Sequence, residues 1–362
     1  MSHALFEPIT LRSLTVRNRL WVSPMCQYAA VGGDGMPTDW HLVHYGGLAA
    51  GGAGAVVLEA TGVSPEGRIT PRCLGLWNDA QQHAFERITA FAHAQGAAVG
   101  VQLIHAGRKA STWPEWGFDR DGHPLEGTVP EAEGGWPTVA PSAIPFGDCA
   151  TPRALDEAGI DAVVDAFAQA ARRAVAAGFD LVELHGAHGY LVHQFLSPLS
   201  NRRDDAYGGS LAGRARLLLR IADAVREAVG PDVPVIARLS ATDWVDGGLT
   251  AAETIQVARW LSEHGVDLVD VSTGGNTPSA PIPAGPGYQV RFAAQVRRET
   301  GMPVSTVGMI LNAAQAEQVL VSGQADVVTM GRALLRDPNL PLRASRELRH
   351  PVPAPGPCRR AW

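Results

Sequence analysis

The chain has 362 residues, 46% of them hydrophobic, with 40 glycines and 26 prolines; such a composition buries a large core joined by many tight turns and excludes a disordered chain. A formal charge of −6 and a pI near 6.1 give no basic footprint for nucleic acid or an anionic membrane, so a small molecule is the expected partner. No stretch reaches the roughly 18 to 20 apolar residues that span a bilayer, the first residues lack a secretion signal, and Cys26, Cys73, Cys149 and Cys358 show no metal or disulfide spacing; a cytoplasmic protein with reduced thiols is expected.

In chain order, Ile9 to Arg17 reads as a small hairpin, and Leu20-Trp21-Val22 is the first core strand, closed by Ser23-Pro24-Met25-Cys26. A helical stretch from Trp40 to Ala50 leads to the strand Ala55–Ala60, and Asp79 to Gln95 leads to Ala98–His105. The alternation continues with a helix from Glu157 to Ala177 before the strand at Phe179 to Glu183. Leu211–Val229 precedes Val233–Leu239, Ala251–His264 precedes Asp267–Ser272, Gln289–Thr300 precedes Pro303–Gly308, and Asn312–Ser322 precedes Ala325–Gly331. Near-continuous apolar strands that alternate with helices imply a parallel sheet buried on both faces. Eight such units predict an α/β fold of the (β/α)₈ TIM-barrel class, one domain over 1–362. A doubly wound open sheet is the runner-up, but Gly51-Gly52-Ala53-Gly54 precedes the second strand instead of following it. The segment 106–155, with Trp113, Trp116 and Trp136 and little periodicity, reads as a lid-like insertion after the third strand, and 274–288 as a further piece of the rim.

Barrel chemistry sits just past the strand ends. Those positions hold Cys26 and Tyr28, Ala60, Gln102 with His105, then His185, His188 and Tyr190, then Arg238, Ser272, Gly308, Gly331 and Arg332. Glycines after strands seven and eight let backbone N–H groups approach a phosphate, and Arg332 adds a matching fork, so a phosphorylated ligand is expected. A metal is the rival for His185-x-x-His188; it needs a third ligand, for which His105 is available, while the strand ends supply no carboxylate pair. A Ser–His–Asp hydrolase is poorly supported, since no Gly-x-Ser-x-Gly elbow occurs.

Five blocks then match one family. They are Ser23 to Tyr28, Gln102 to Lys109, His185 to Tyr190, Ser197 to Gly209 and Gly331 to Pro338. Spread in order along nearly the whole chain, they resemble the old yellow enzymes, and most closely the thermophilic-like branch with the xenobiotic reductases. The resemblance implies non-covalent FMN, reduced by NADPH or NADH and reoxidised by an activated alkene such as an enone, maleimide or nitro compound. It assigns Ser23, Pro24, Met25, Cys26, Ala60, Gln102, Arg238, Gly308, Gly331 and Arg332 to the flavin, with Ser272 and Lys109 as further neighbours. Cys26 would tune the flavin potential, and Tyr28 would line the substrate pocket. His185 and His188 would hold the substrate oxygen, and Tyr190 would protonate the α-carbon.

The chain ends Cys358-Arg359-Arg360-Ala361-Trp362. The final Arg-x-Trp resembles branch members whose terminal arginine enters a neighbouring subunit's site, so the tail 350–362 with Arg360 implies a homodimer or homotetramer. A flavin-dependent amine demethylase or oxidase, and a flavin-free barrel aldolase or isomerase on the same phosphate site, remain as alternatives.

Overall fold

The computed structural model describes residues 3–118 and 122–362. Eight parallel strands close into a barrel in sequential order: β1 (Leu20–Val22), β2 (Ala55–Gly62), β3 (Ala98–Ile104), β4 (Leu181–Gly186), β5 (Val235–Ser240), β6 (Leu268–Ser272), β7 (Val304–Thr306) and β8 (Val327–Met330). Between and after them run α1 (Asp39–Ala50), α2 (Asp79–Ala94), α3 (Glu157–Ala176), α4 (Leu211–Val229), α5 (Ala251–Glu263), α6 (Val290–Thr300), α7 (Ala313–Val321) and α8 (Leu340–Glu347). The helix starts are written into the sequence. Side-chain oxygens of Asn78, Asp156, Ser210, Thr250 and Asn312 accept the orphan amides of Gln81, Gly159, Gly213, Glu253 and Gln315. Among the described residues no helix is long and apolar enough to cross a membrane.

Because side chains alternate in and out along a strand, every second residue of each strand faces the barrel axis. The lowest inward layer is apolar: Trp21, Val57, Leu181, Ile236, Leu268 and Val327 pack with Leu11 and Val16 of the hairpin Ile9–Leu11/Leu14–Val16, which plugs the barrel floor. Two residues further on, the layer becomes polar. Gln102 lies opposite Glu183, and Asp270 lies opposite both Arg238 and Ser305. Another two residues up, β4 delivers His185, β5 Ser240 and β6 Ser272 to the mouth. The strands thus climb from oil to charge to candidate chemistry.

Three details depart from the sequence reading. β4 starts at Leu181 and runs through Gly186, so His185 belongs to the strand and is buried. β2 runs to Gly62, placing Ala60 within it. Its register shifts between Leu58 and Ala60, a bulge that turns Glu59 toward α1, where it accepts hydrogen bonds from the Tyr45 hydroxyl and the Gln27 amide. The barrel interior also holds two carboxylates that the strand ends do not show. Glu183 and Asp270 sit inside apolar-looking strands, one layer below those ends.

The insertion 106–155 contains short 3₁₀ turns at Gly107–Lys109 and Glu131–Glu133 and a two-residue parallel ladder, Val139–Ala140 with Arg153–Ala154; residues 119–121 of it lie outside the described residues. Its tryptophans are only partly covered. Trp116 is 46% exposed, though its ring centroid lies 5.2 Å from that of Tyr28, and Trp136 is held by a stacked Arg68 guanidinium.

Candidate active site

The loop after β4 is fixed backbone to backbone against the loop after β6. His188 adopts φ +58° and Gly189 φ +74°. A Cβ on Gly189 would sit 2.1 Å from the Gly275 carbonyl oxygen, and one on Gly275 would sit 2.6 Å from the His188 Cα. Only glycine fits either place. Gly189→Ala should therefore cost at least about 2–3 kcal/mol, from strain and overpacking together; urea unfolding checks this, and an unchanged midpoint would show that the loops part freely.

Side chains complete the clamp. The Gly189 amide donates to His193 Nδ1 at 2.9 Å, and His193 Nε2 faces Asp243, which also accepts from the Ser197 hydroxyl. Gln194 donates to the carbonyls of Ala106 and Gly189. Lys109 Nζ donates to the carbonyls of His188 at 2.8 Å and Gly275 at 3.1 Å, lying over the rings of Tyr190 and Phe146. Burial, with Arg108 nearby, brings the Lys109 ammonium down to about 8.

On this platform the His185 ring stands 5.1 Å from His188 and 5.0 Å from Tyr190, centroid to centroid. His185 Nδ1 accepts the Ala187 amide at 3.3 Å, which leaves the proton on Nε2. His188 Nε2 meets the Ser272 hydroxyl at 2.7 Å, and because Ser272 donates onward to Gln289 Oε1, the imidazole is the donor there. Desolvation, reinforced by Arg238, holds both imidazoles well below the usual histidine range. They are neutral donors at neutral pH. Desolvation, with Cys26 next, pushes the Tyr190 phenol well above its usual range, so its proton stays in place.

Beside Tyr190 lies an apolar cluster of Tyr28, Ala60, Ile69, Cys73, Ile104, Ala106 and Ala110, against which Cys26 packs. Burial, with Cys73 and Glu59 nearby, raises the Cys26 thiol strongly, and a hydrogen bond with Tyr28 offsets this only in part. Cys26 is accordingly a thiol, not a thiolate nucleophile.

Next to the imidazoles opens a cavity of about 420 Å³ lined by Arg238, Ser272, Gln289, Gly308, Gly331, Arg332 and Arg336, among others. Three guanidinium groups and no carboxylate line it, and its size falls in the ligand range of roughly 300–1,000 Å³. Gly308 takes φ +122°, and a Cβ on Gly331 would meet the Met25 sulfur at 3.2 Å, so the loop Ser23, Pro24, Met25 forms the neighbouring edge. Such a donor set fits a phosphorylated, anionic cofactor such as FMN.

Gln102 is not at this cavity's wall. It is buried in the polar layer, donating to Glu183 Oε2 at 2.7 Å. Arg360 is exposed on a 3₁₀ turn, Gly356–Ala361, and the Ala361 carbonyl accepts from Arg346 of α8. Ser240, Gln289, His193 and Asp243 carry no local signal in the sequence, since a lone polar residue in a strand, helix or loop does not show what it will face. Among the described residues no group of three His, Cys, Asp or Glu side chains gathers as a metal site.

The parallel barrel thus sets a cationic cavity after β7 and β8, suited to a phosphorylated cofactor, beside neutral imidazole donors and a protonated phenol. Residues 4–350 match the NADH:flavin oxidoreductase / NADH oxidase family, and the chain is a member of it. It is 44% identical over 363 residues to an NADPH dehydrogenase of Geobacillus thermodenitrificans, covering 100% of this chain and 99% of that one. Among solved structures, morphinone reductase in complex with tetrahydroNAD superposes with a TM-score of 0.78 at 30% identity, over 98% of this chain and 93% of that one. The old yellow enzyme homologue from Zymomonas mobilis gives a TM-score of 0.76 at 27% identity, over 97% and 94%. Within the old yellow enzymes, then, the chain is an FMN-dependent oxidoreductase that takes electrons from NAD(P)H.

Proposed function

We propose that the electrons are delivered to the C=C bond of small activated alkenes: enones, maleimides and nitro compounds. The observation that carries this reading is the trio of His185, His188 and Tyr190, two neutral donors and a phenol, with His188 and Tyr190 each about 5 Å from His185, centroid to centroid, beside a cavity suited to the cofactor. FMN supplies the hydride exchange between nicotinamide and acceptor.

The chain's own residues do the rest. His185 Nε2 and His188 Nε2 donate to the acceptor's carbonyl or nitro oxygen, His188 releasing Ser272 to do so, and meet the negative charge that develops there. Tyr190 holds the proton destined for the α-carbon. Its high pKa is no obstacle, because an enolate-like carbon is the stronger base. Arg238 faces the cofactor with a charge that favours its reduced, anionic form. Cys26, Ala60 and Gln102 border the ring system in this reading, with Gly308, Gly331 and Arg332 at its phosphate. Tyr28 and Trp116 wall the substrate side, and the insertion acts as a lid. The exposed Arg360 belongs, on the same reading, to the site of a second copy in a homodimer or homotetramer.

The purified protein should be yellow and, under anaerobic conditions, consume NADPH or NADH in step with 2-cyclohexenone, N-phenylmaleimide or a nitroalkene, yielding the saturated product. Nicotinamide oxidation by dioxygen alone, with no alkene reduced, would remove the proposal and leave the family assignment intact.

A further inference from the structure

Beneath the site, the polar layer of the barrel contains more acid than it can neutralise. Glu183, Asp270 and Arg238 are 2%, 1% and 5% exposed, so two carboxylates share one guanidinium out of reach of water. Burying an unpaired carboxylate costs several kcal/mol at least, and the layer avoids this by keeping a proton. The two acids are not equivalent. Asp270 has Arg238 Nε at 3.0 Å and accepts the Ser305 hydroxyl at 2.5 Å, whereas the donor to Glu183 is the neutral Gln102 amide. The charge belongs on Asp270 and the proton on Glu183.

We infer that Glu183, held as the carboxylic acid, is a positioning residue for the flavin: it fixes the Gln102 amide and keeps the Arg238 charge from being drawn down into the barrel. Gln102 Nε2 is committed to Glu183, which leaves Oε1 as the acceptor the amide can present elsewhere. One layer up, β4 carries His185 and β6 carries Ser272, so the acid lies directly below the machinery of the proposed reaction. Burial first, and Asp270 second, raise Glu183 to about 8. The groups facing it are Gln102 on β3, Arg238 on β5 and Asp270 on β6; Lys109 also titrates near 8, but on the loop above.

The inference rests on FMN occupying the cavity beside Arg238. Bound FMN would supply a two-electron couple that gains net negative charge on reduction. That charge would raise Glu183, so that near pH 8 up to one further proton would enter the protein. Midpoint potentials of the FMN-loaded enzyme, measured from pH 6 to 9.5, should steepen around pH 8 in the wild type. In Glu183→Gln, which is isosteric with the acid and leaves Lys109 untouched, the steeper region should vanish while the potential at pH 6.5 and the FMN dissociation constant stay at wild-type values. Glu183→Ala should weaken FMN binding at least 10-fold. The oxidised wild type should also show an infrared carboxylic C=O band that Glu183→Gln lacks. Superimposable potential profiles for wild type and Glu183→Gln, or absence of that band, would overturn the inference. Failure of the wild type to bind FMN at all would instead strike the cofactor placement on which it rests.

Discussion

Removing both imidazoles, in His185→Ala with His188→Ala, should lower kcat for an enone by at least about 10²–10³-fold, the range for one preorganised donor to a developing oxyanion, while FMN binding and reduction by NADPH change little. The contrast follows from position. The cationic cavity contains Arg238, Arg332 and Arg336 but neither histidine, and the imidazoles are held by the β4 loop, the Ala187 amide and Ser272. Stopped-flow measurement of the two half-reactions separates them; equal slowing of both would mean that the histidines support the cofactor. The same variant tests the protonation states. Folding lowers both pKa values from an unfolded value of about 6.5, so below that pH the unfolded chain binds more protons than the native one. Their contribution is fully present above pH 6.5 and is lost in acid. Between pH 7 and pH 5 the double variant should therefore lose less stability in urea than the wild type, and an equal loss would show that the imidazoles are protonated in the fold.

The barrel was legible because its strands are short, apolar and punctuated by turns. A buried parallel strand leaves a continuous signal that one residue more or less does not erase. The order of His185, His188 and Tyr190 was legible for another reason: glycines at 186 and 189 interrupt them, and Gly189, in the left-handed region, marks the turn that follows the strand end at Gly186. Glu183 was hidden by the same periodicity. One acid in Leu181-Val182-Glu183-Leu184 reads as a tolerated polar residue, and its partner Asp270 lies 87 positions away with its own apolar flanks. Only barrel closure, with Gln102 opposite Glu183 and Asp270 opposite Arg238, reveals them as one layer. The bulge at Glu59 was invisible likewise, since two successive outward residues show only once β1 and β3 fix the register.

The block Ser197 to Gly209 shows how a strong motif can be structural. Ser197 binds Asp243, which faces His193, which accepts the Gly189 amide, and Asn201 ties the carbonyls of Phe195 and Tyr207 together. These side chains make no chemistry of their own; they hold the turn that places Tyr190.

Tyr190→Phe isolates the proton. It keeps the ring that packs with Lys109 and the apolar cluster around Ala60 and removes only the hydroxyl, so FMN binding, NADPH oxidation under anaerobic single-turnover conditions and stability should stay near wild type. Reoxidation by an enone should slow by about 10²–10⁴-fold, the usual contribution of a positioned general acid. The pH dependence should be shallow through neutrality, because the phenol lies well above its ordinary range and remains protonated. Two groups change near pH 8: Glu183 in the barrel below and, on the substrate side, Lys109, whose ammonium lies over the Tyr190 ring at 4.9 Å and whose pKa is about 8. As pH rises through that value the cation is lost, the carbonyls of His188 and Gly275 lose a charged donor, and wild-type turnover should fall. In Tyr190→Phe the same fall should persist on the residual rate, because it arises from the clamp and not from the proton donor. A rate unchanged by Tyr190→Phe would reassign proton delivery to solvent, and a loss of FMN reduction by NADPH would show that the phenol serves the nicotinamide and not the alkene.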